Sequence, residues 1–159
     1  TLVFLTLTIA ITPLRKTFAA NSLVKLRRMV GLFAFFYGCL HLLTYIWLDR
    51  VFDLLSVGQD VARRPFILVG MTAFILMVPL AITSTNKMVK RLGGKRWALL
   101  HKLVYLAAIG GVLHFFMLVK SDTRLPLTFG FIVAVLLLHR LLVKYVPQGQ
   151  PQASLFPKD

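Results

Sequence analysis

Residues 65–84 read PFILVGMTAFILMVPLAITS, a run of 20 positions that contains no charged side chain. A helix of this length rises about 30 Å, which is the thickness of the hydrocarbon core of a bilayer. Further apolar runs of similar length lie at about residues 29–48, 97–119 and 127–146. A transmembrane β-barrel is excluded because its strands alternate polar and apolar positions over about ten residues. The sequence therefore predicts an all-α fold, a polytopic bundle of transmembrane helices.

The composition of the whole chain agrees with a membrane location. Of the 159 residues, 58% are hydrophobic and 15% are charged, and the mean hydropathy is +0.79. A soluble domain is about 45–50% apolar and about 25% charged. The 19 Lys and Arg residues give a net charge of +14, but they lie between the apolar runs rather than on polar elements. We therefore expect a lipid bilayer as the partner and exclude nucleic acid.

The two ends of the chain differ from its middle. The first apolar run, residues 1–12, rises only about 18 Å before Pro13, which is too short to cross a bilayer. We expect it to be part of a transmembrane helix, so that the bundle is truncated at its N-terminus; a signal peptide is less favoured because no basic segment precedes the run. We expect a helical domain at residues 1–146, followed by a disordered cytoplasmic tail at residues 147–159, which are rich in Pro and Gln.

The positive charges predict how the bundle is oriented. Cytoplasmic loops carry an excess of Lys and Arg. One side of the predicted bundle holds 14 of the 19 basic residues, in residues 15–28, 87–102 and 140–158, and the other side holds 5. The side with 14 basic residues should face the cytoplasm. On the opposite side, residues 49–64 are either a plain connector or a short helix along the outer interface that receives a soluble partner.

All four histidines lie in or beside the predicted membrane helices, where an ionisable group is costly and usually has a function. They are His41, His101, His114 and His139. A neutral imidazole can bind haem iron axially, and surrounding helices can supply the apolar cavity that the macrocycle needs. The histidines are therefore the candidate residues for binding haem and its iron.

His41 and His114 are the best candidates for a shared haem because their depths agree. At 1.5 Å per residue, His41 lies about 20 Å beyond Arg28 and His114 about 18 Å beyond Lys102. Taking Arg96 as the border instead moves His114 about 9 Å further out.

Both histidines also share a helix face with mostly small residues, which would give a porphyrin clearance against the backbone. These neighbours are Gly31, Ala34, Gly38 and Tyr45 around His41, and Leu103, Ala107, Gly110 and Gly111 around His114. The alternative is that the small residues only let helices pack closely, with a histidine donating an interhelical hydrogen bond.

The other two histidines belong to a separate hypothesis. His101 lies about 20 Å along the helix from His114 and about 140° around it, so the two rings should point apart. His101 either binds a second haem nearer the cytoplasm or contacts lipid headgroups. His139, beside Arg140, is either its partner or a plain interfacial residue.

Four segments of the chain resemble the MsrQ family, the haem-binding membrane subunits of bacterial periplasmic methionine sulfoxide reductase systems. The family is related to the transmembrane domain of ferric reductases and NADPH oxidases. The resemblance extends over about residues 9–145. The segments are ITPLRK (11–16), LRRMVGLFAFFYGCLHLLTYIWLD (26–49), RPFILVGMTAFILMVPLAITSTN (64–86) and LGGKRWALLHKLVYLAAIGGVLHF (92–115).

The resemblance implies a six-helix protein of the bacterial inner membrane that carries b-type haem and FMN. It implies an electron-transfer subunit rather than a catalytic one, which receives electrons from the quinone pool or a cytoplasmic flavin reductase. The acceptor would be a periplasmic molybdopterin methionine sulfoxide reductase, MsrP-like. The haem histidines of the family match His41, His101 and His114, whereas His139 matches none. No residue is assigned to flavin or quinone.

Other function classes remain open at this point. The chain could be another cytochrome b or ferric reductase-type subunit, which would share the haem sites and differ in its partner. From a different class, it could be a small transporter whose histidines relay protons without haem. A structural anchor without a cofactor is the third alternative.

Overall fold

The computed structural model describes the backbone of residues 1–18 and 23–145 and the side chains of residues 1–14 and 26–143. Within this part of the chain every regular element is a helix, which confirms the all-α prediction. The predicted tail, residues 147–159, lies outside the described residues. The helices are α1 (Leu2–Phe18), α2 (Leu23–Thr44), α3 (Leu54–Arg63), α4 (Pro65–Ile82), α5 (Asn86–Leu92), α6 (Gly94–Leu100), α7 (Leu103–Leu118) and α8 (Arg124–Tyr145).

Four helical stretches among the described residues are long and apolar enough to cross a membrane. They are Leu26–Asp49, Pro65–Ile82, Gly94–Leu118 and Arg124–Val143. The apolar part of α1, Leu2–Leu14, is shorter. The chain is therefore a multi-pass membrane protein, built on the four runs that its sequence predicts.

Helix α1 differs from the expected run at residues 1–12, because it continues through Pro13 to Phe18. Proline lacks the N–H that an interior helical residue donates, yet membrane helices tolerate it where neighbouring groups satisfy the freed backbone. Pro13 therefore does not end the helix.

The end of α2 also departs from a regular helix. The predicted run at residues 29–48 begins earlier, at Leu23, and its last turn, Tyr45–Asp49, is π-helical. Such wide turns occur often at functional sites. The turn directs the chain into a tight loop in which Val51 and Phe52 have positive φ angles of 47° and 61°.

The predicted run at residues 97–119 forms two helices rather than one. Helices α6 and α7 meet at His101 and Lys102, where the backbone N–H groups of Lys102 and Tyr105 bond to carbonyls three residues earlier. This is a tightened turn. The ring of His101 stacks on Trp97 and contacts Thr83, the C-cap of α4, which stabilises the turn.

The core lies where α4 and α7 pack along each other, with α1 and α2 against them. A Cβ atom at Gly110 of α7 would lie 3.1 Å from the Cβ of Ala73 in α4, so these backbones approach closely. Small residues commonly permit this in membranes. Two clusters of buried apolar residues result: Leu5, Ala34, Met77, Leu80, Val104 and Ala107, and Ile9, Ala108 and Val133.

The loop between α2 and α4 contains α3, where the sequence allows a short interfacial helix. Asp53 begins α3 as its N-cap, since its carboxylate accepts from the backbone N–H groups of Leu55 and Ser56. The side chain of Asp60 on α3 is buried.

The opposite ends of α2 and α4 lie near the basic connections. Arg28 Nη1 donates to Asn86 Oδ1 over 2.5 Å and joins the start of α2 to the start of α5. The basic start of α2 and the basic helix α5 thus share one end of the bundle.

Candidate functional site

A cavity of about 1110 Å³ lies between α1, α2, α4 and α7. Small-molecule sites in proteins measure about 300–1000 Å³, so this one is large enough for a bulky ligand. Its walls are mainly aliphatic and aromatic side chains and three glycines, Gly38, Gly70 and Gly111. The polar and charged side chains among its lining residues are Thr1, Tyr37, His41, Thr44, Tyr45, Asp49, Arg50, Arg64 and His114.

The structure brings His41 of α2 and His114 of α7 together in this cavity. Their ring centroids are 6.2 Å apart and their planes differ by 74°. Among the neighbours predicted from the helix faces, Gly38, Tyr45, Ala107 and Gly111 line the cavity as well. Ala34 and Gly110 instead lie in helix contacts, so the small residues serve both roles.

His114 is oriented by the backbone of α4. Its Nδ1 atom lies 2.7 Å from the carbonyl oxygen of Phe66. A carbonyl can only accept, so Nδ1 carries the proton and donates, which leaves Nε2 with a free lone pair. Histidine ligands of metals almost always have such a hydrogen bond on the other ring nitrogen.

Gly70 provides the space that this contact needs. A Cβ atom at position 70 would lie 2.6 Å from Nδ1 of His114 and 2.8 Å from its Cε1. Real Cβ atoms do not approach other atoms so closely, so any side chain here would displace the imidazole.

His41 is the less constrained of the pair. It contacts the ring of His114, and within the described part of the chain no hydrogen bond occupies either of its ring nitrogens. A ring nitrogen of His41 is therefore available to a ligand in the cavity.

The pair fits an axially bound haem iron. Two nitrogen–metal bonds of about 2 Å and the radii of two imidazole rings place the centroids of opposite ligands roughly 6 Å apart. The observed 6.2 Å agrees with this value. Of the residues described, no group of three or more His, Cys, Asp or Glu is placed to hold a bare metal ion.

His101 is not brought to this cavity. Its Nε2 lies 3.1 Å from Thr83 Oγ1, and its ring stacks on Trp97 with centroids 3.9 Å apart. The Thr83 hydroxyl donates to the carbonyl of Pro79, so it accepts from His101. As the sequence predicts, His101 and His114 lie in different surroundings.

His139 lies on α8 with an exposed side chain. The next residue, Arg140, turns inward: its guanidinium lies 4.9 Å from the centroid of the Tyr105 ring and contacts Thr12. Neither residue lines the cavity.

An ionic cluster lies at the end of the cavity near α3. Asp60 forms salt bridges with Arg50 and with Arg64, the latter with Nε and Oδ1 3.2 Å apart, and accepts from the hydroxyl of Tyr45 over 2.6 Å. The hydrogen bond from Tyr45 and the two guanidinium groups hold the pKa of Asp60 below its ordinary value. Asp60 is therefore ionised at neutral pH.

Sequence reasoning missed Gly70, the Phe66 carbonyl and this cluster. Tyr45 appeared only as a neighbour of His41, four residues away on the same face. The signal for the cluster was present, because Asp60 is an acid in a segment that otherwise reads as an amphipathic helix with two arginines after it.

Comparisons with known proteins agree with this architecture. A family model described as the ferric reductase like transmembrane component matches residues 1–112. A protein of Herminiimonas arsenicoxydans, named protein-methionine-sulfoxide reductase heme-binding subunit MsrQ, is 58% identical over 143 residues, which are 89% of this chain and 66% of that protein.

Proteins with the same name from Rhodospirillum rubrum and Ralstonia nicotianae are 53% and 47% identical. The first match covers 89% of this chain and 68% of the relative, and the second covers 98% and 71%. The chain thus spans about two thirds of the length of the curated relatives it matches. No solved structure matches it significantly.

Proposed function

The chain belongs to the MsrQ family and has a ferric reductase-like transmembrane domain, and from this membership we propose that it binds b-type haem and transfers electrons. The observation that carries the proposal is the pair His41 and His114, with ring centroids 6.2 Å apart in a cavity of about 1110 Å³. We propose these two residues as the axial ligands of one haem iron.

The residues of this chain have distinct tasks in that function. His114 would hold the haem iron with Nε2, since the Phe66 carbonyl fixes the tautomer and the direction of its ring. His41 would hold it with a ring nitrogen, and the mainly apolar walls would contact the macrocycle. The haem, when bound, supplies reversible one-electron exchange, whose potential depends on axial ligation, burial and nearby charge.

We also propose an electron acceptor, an electron donor, a membrane location and a second cofactor. The acceptor is a periplasmic molybdopterin methionine sulfoxide reductase, MsrP-like, and the donor is quinol or a cytoplasmic flavin reductase. The support is the name shared by the relatives, which describes a subunit of a methionine sulfoxide reductase. The proposed location is a bacterial inner membrane with the basic loops in the cytoplasm. FMN is proposed from the resemblance alone.

His101 is proposed as a ligand of a second haem, again from the resemblance. Its place near the basic end of the bundle, away from His114, supports a separate position. To bind iron through Nε2 it would have to release Thr83. His139, which is exposed, stays the candidate partner.

The experiment that tests the haem proposal is a dithionite-reduced minus oxidised spectrum of the full-length protein in membranes. We expect a sharp α band, and the part of it that belongs to the haem between His41 and His114 should be lost in His41→Ala and in His114→Ala. His139→Ala is the control for this haem, because His139 is exposed and does not line the cavity, and it should retain that part of the band.

A colourless wild-type protein at full expression would contradict the proposal and favour a proton-relaying transporter or a structural anchor. An α band that is undiminished in both His41→Ala and His114→Ala would show that these two residues bind no haem.

A further inference from the structure

We infer that Arg50, held in place by Asp60, binds a carboxylate group of the ligand that fills the cavity. This inference rests on the proposed haem function. Arg50 and Asp60 thereby have a role at the α3 end of the cavity. The sequence alone identifies them only as charged residues of a loop.

The first observation is where the charged residues lie. The charged side chains that line the cavity are Asp49, Arg50 and Arg64. All three belong to the two ends of the loop that holds α3, so the charged lining residues collect at one end. A ligand that fits this cavity has an apolar body and a charged group at one edge.

The second observation is the balance of charge in the cluster. Arg50 and Arg64 share a single carboxylate, Asp60, which leaves one positive charge in excess. The Nε atom of Arg50 is buried and has no hydrogen-bond partner among the described residues. A buried donor without an acceptor is costly, and a carboxylate bound at this end would give the Arg50 guanidinium a further acceptor.

Asp49 lies at the same end and must be considered. Its side chain is exposed, and it forms no salt bridge within the described part of the chain. Water can therefore solvate Asp49, whereas Arg50 is partly buried. An anion that enters the cavity would contact Arg50. Asp49 would repel it only weakly, because solvent screens the charge of an exposed carboxylate.

The third observation is the closeness of this cluster to the imidazole pair. Tyr45, which donates to Asp60, lies one helical turn after His41. Arg64 lies two residues before Phe66, whose carbonyl contacts His114. One turn of helix rises about 5.4 Å. A flat ligand held between the two histidines can thus reach the cluster with its edge.

The chemistry of haem b fits these observations. The macrocycle is flat and apolar, and two propionate carboxylates extend from one edge. A guanidinium group matches a carboxylate with two parallel N–H···O bonds, which a lysine cannot form. Arg50 would form such a pair by turning its buried Nε toward the cavity, while Asp60 and Tyr45 hold the rest of the cluster.

The test compares haemin with haemin dimethyl ester, in which both carboxylates are blocked. The full-length protein is prepared without haem from haem-deficient cells, and each compound is titrated in detergent by absorbance. We expect the wild type to bind haemin at least tenfold more tightly than the ester. Arg50→Met should lose this preference by weakening haemin binding alone.

Two further variants sharpen the result. Arg63→Met is the matched control, because Arg63 is an exposed neighbour on α3 that does not line the cavity, and it should behave as the wild type. Asp49→Asn should increase the preference for haemin, since it removes the competing negative charge.

Equal affinity of the wild type for the two compounds would overturn the inference and leave haem binding intact. Failure of the wild type to bind either compound would overturn both the inference and the proposed function. If Arg50→Met binds neither compound, Arg50→Lys decides: it retains the charge without the paired geometry, so an unchanged preference for haemin would overturn the inference and a reduced one would support it.

Discussion

At the scale of single residues, the site depends on a glycine, because its lack of a side chain leaves space for His114. Gly70 lets the imidazole of His114 reach the backbone of α4, where it donates to the Phe66 carbonyl. The ring is thereby held in one tautomer before any ligand arrives. Preorganisation of this kind reduces the cost of binding.

Replacing Gly70 by alanine should disturb His114 directly. The new Cβ would lie 2.6 Å from Nδ1, and overpacking of this kind typically costs about 1–3 kcal/mol. We expect Gly70→Ala to lower the haem content of the purified full-length protein severalfold and to lower its melting temperature.

Gly58→Ala on α3 is the control, since a Cβ there meets nothing within 4 Å. It should retain the haem and stabilise the helix by about 0.4–1 kcal/mol. Wild-type haem content in Gly70→Ala would show that His114 does not need this contact.

The sequence predicted the pairing of His41 and His114 because depth along a helix follows from residue counting. It did not identify Gly70 or Phe66. Residue counting gives the position of a residue along its own helix and the face on which it lies. It does not show which neighbouring helix that face contacts. The approach of α4 to α7 depends on packing around Gly110 and Ala73. The hydrophobic periodicity of the sequence does not reveal this packing.

At the scale of the element, α3 is attached to the bundle through Asp60. The carboxylate connects α3 to Tyr45 and Arg50 near the end of α2 and to Arg64 at the start of α4. Because Asp60 is ionised in these contacts, the attachment depends on pH.

The pKa of Asp60 is lowered in the folded protein, chiefly by the Tyr45 hydroxyl and then by the two arginines. Its contribution to stability is therefore complete above the ordinary carboxyl pKa of about 3.9 and is lost as the pH falls through the lowered value. We expect the melting temperature of the wild type to fall more steeply below about pH 4 than that of Asp60→Asn.

Asp49→Asn provides the comparison, because it removes a nearby carboxylate that forms no salt bridge among the described residues. Its acid dependence should match the wild type. Parallel curves for the wild type and Asp60→Asn would contradict the assigned role of Asp60.

The irregular turns at the helix boundaries could not be predicted from local sequence patterns. The runs at residues 29–48 and 97–119 were predicted as plain helices because both are apolar throughout most of their length. At the π-helical turn, Tyr45 contacts Asp60, and at the tightened turn, His101 contacts Thr83. Those partners are 15 and 18 residues away in sequence, and hydrophobic periodicity cannot detect them.

At the scale of the whole molecule, the length and continuity of the apolar runs were enough to predict an all-α membrane bundle. In lipid every backbone polar group must be satisfied within the protein, so long apolar runs have few alternatives to helices. The orientation of the bundle is a separate prediction from the loop charges.

Cysteine labelling of the full-length protein tests that orientation. In a Cys39→Ala background, Gln59→Cys lies on α3 and Lys90→Cys on α5, both at exposed positions. We expect a membrane-impermeant maleimide to label position 59 in intact spheroplasts, and position 90 only after permeabilisation. The reverse pattern would show that the basic loops face outward.

The hydrogen-bond acceptor that orients His114 is a main-chain carbonyl oxygen, and this limits what a mutational scan of the protein can detect. Any amino acid at position 66 would present the same oxygen, so an alanine scan would report position 66 only through the loss of its phenyl ring. The contact instead depends on the register of α4. Inserting or deleting one residue between Phe66 and Gly70 would rotate that oxygen by about 100° relative to Gly70, and would remove the acceptor itself, whereas Gly70→Ala displaces the imidazole that donates to it.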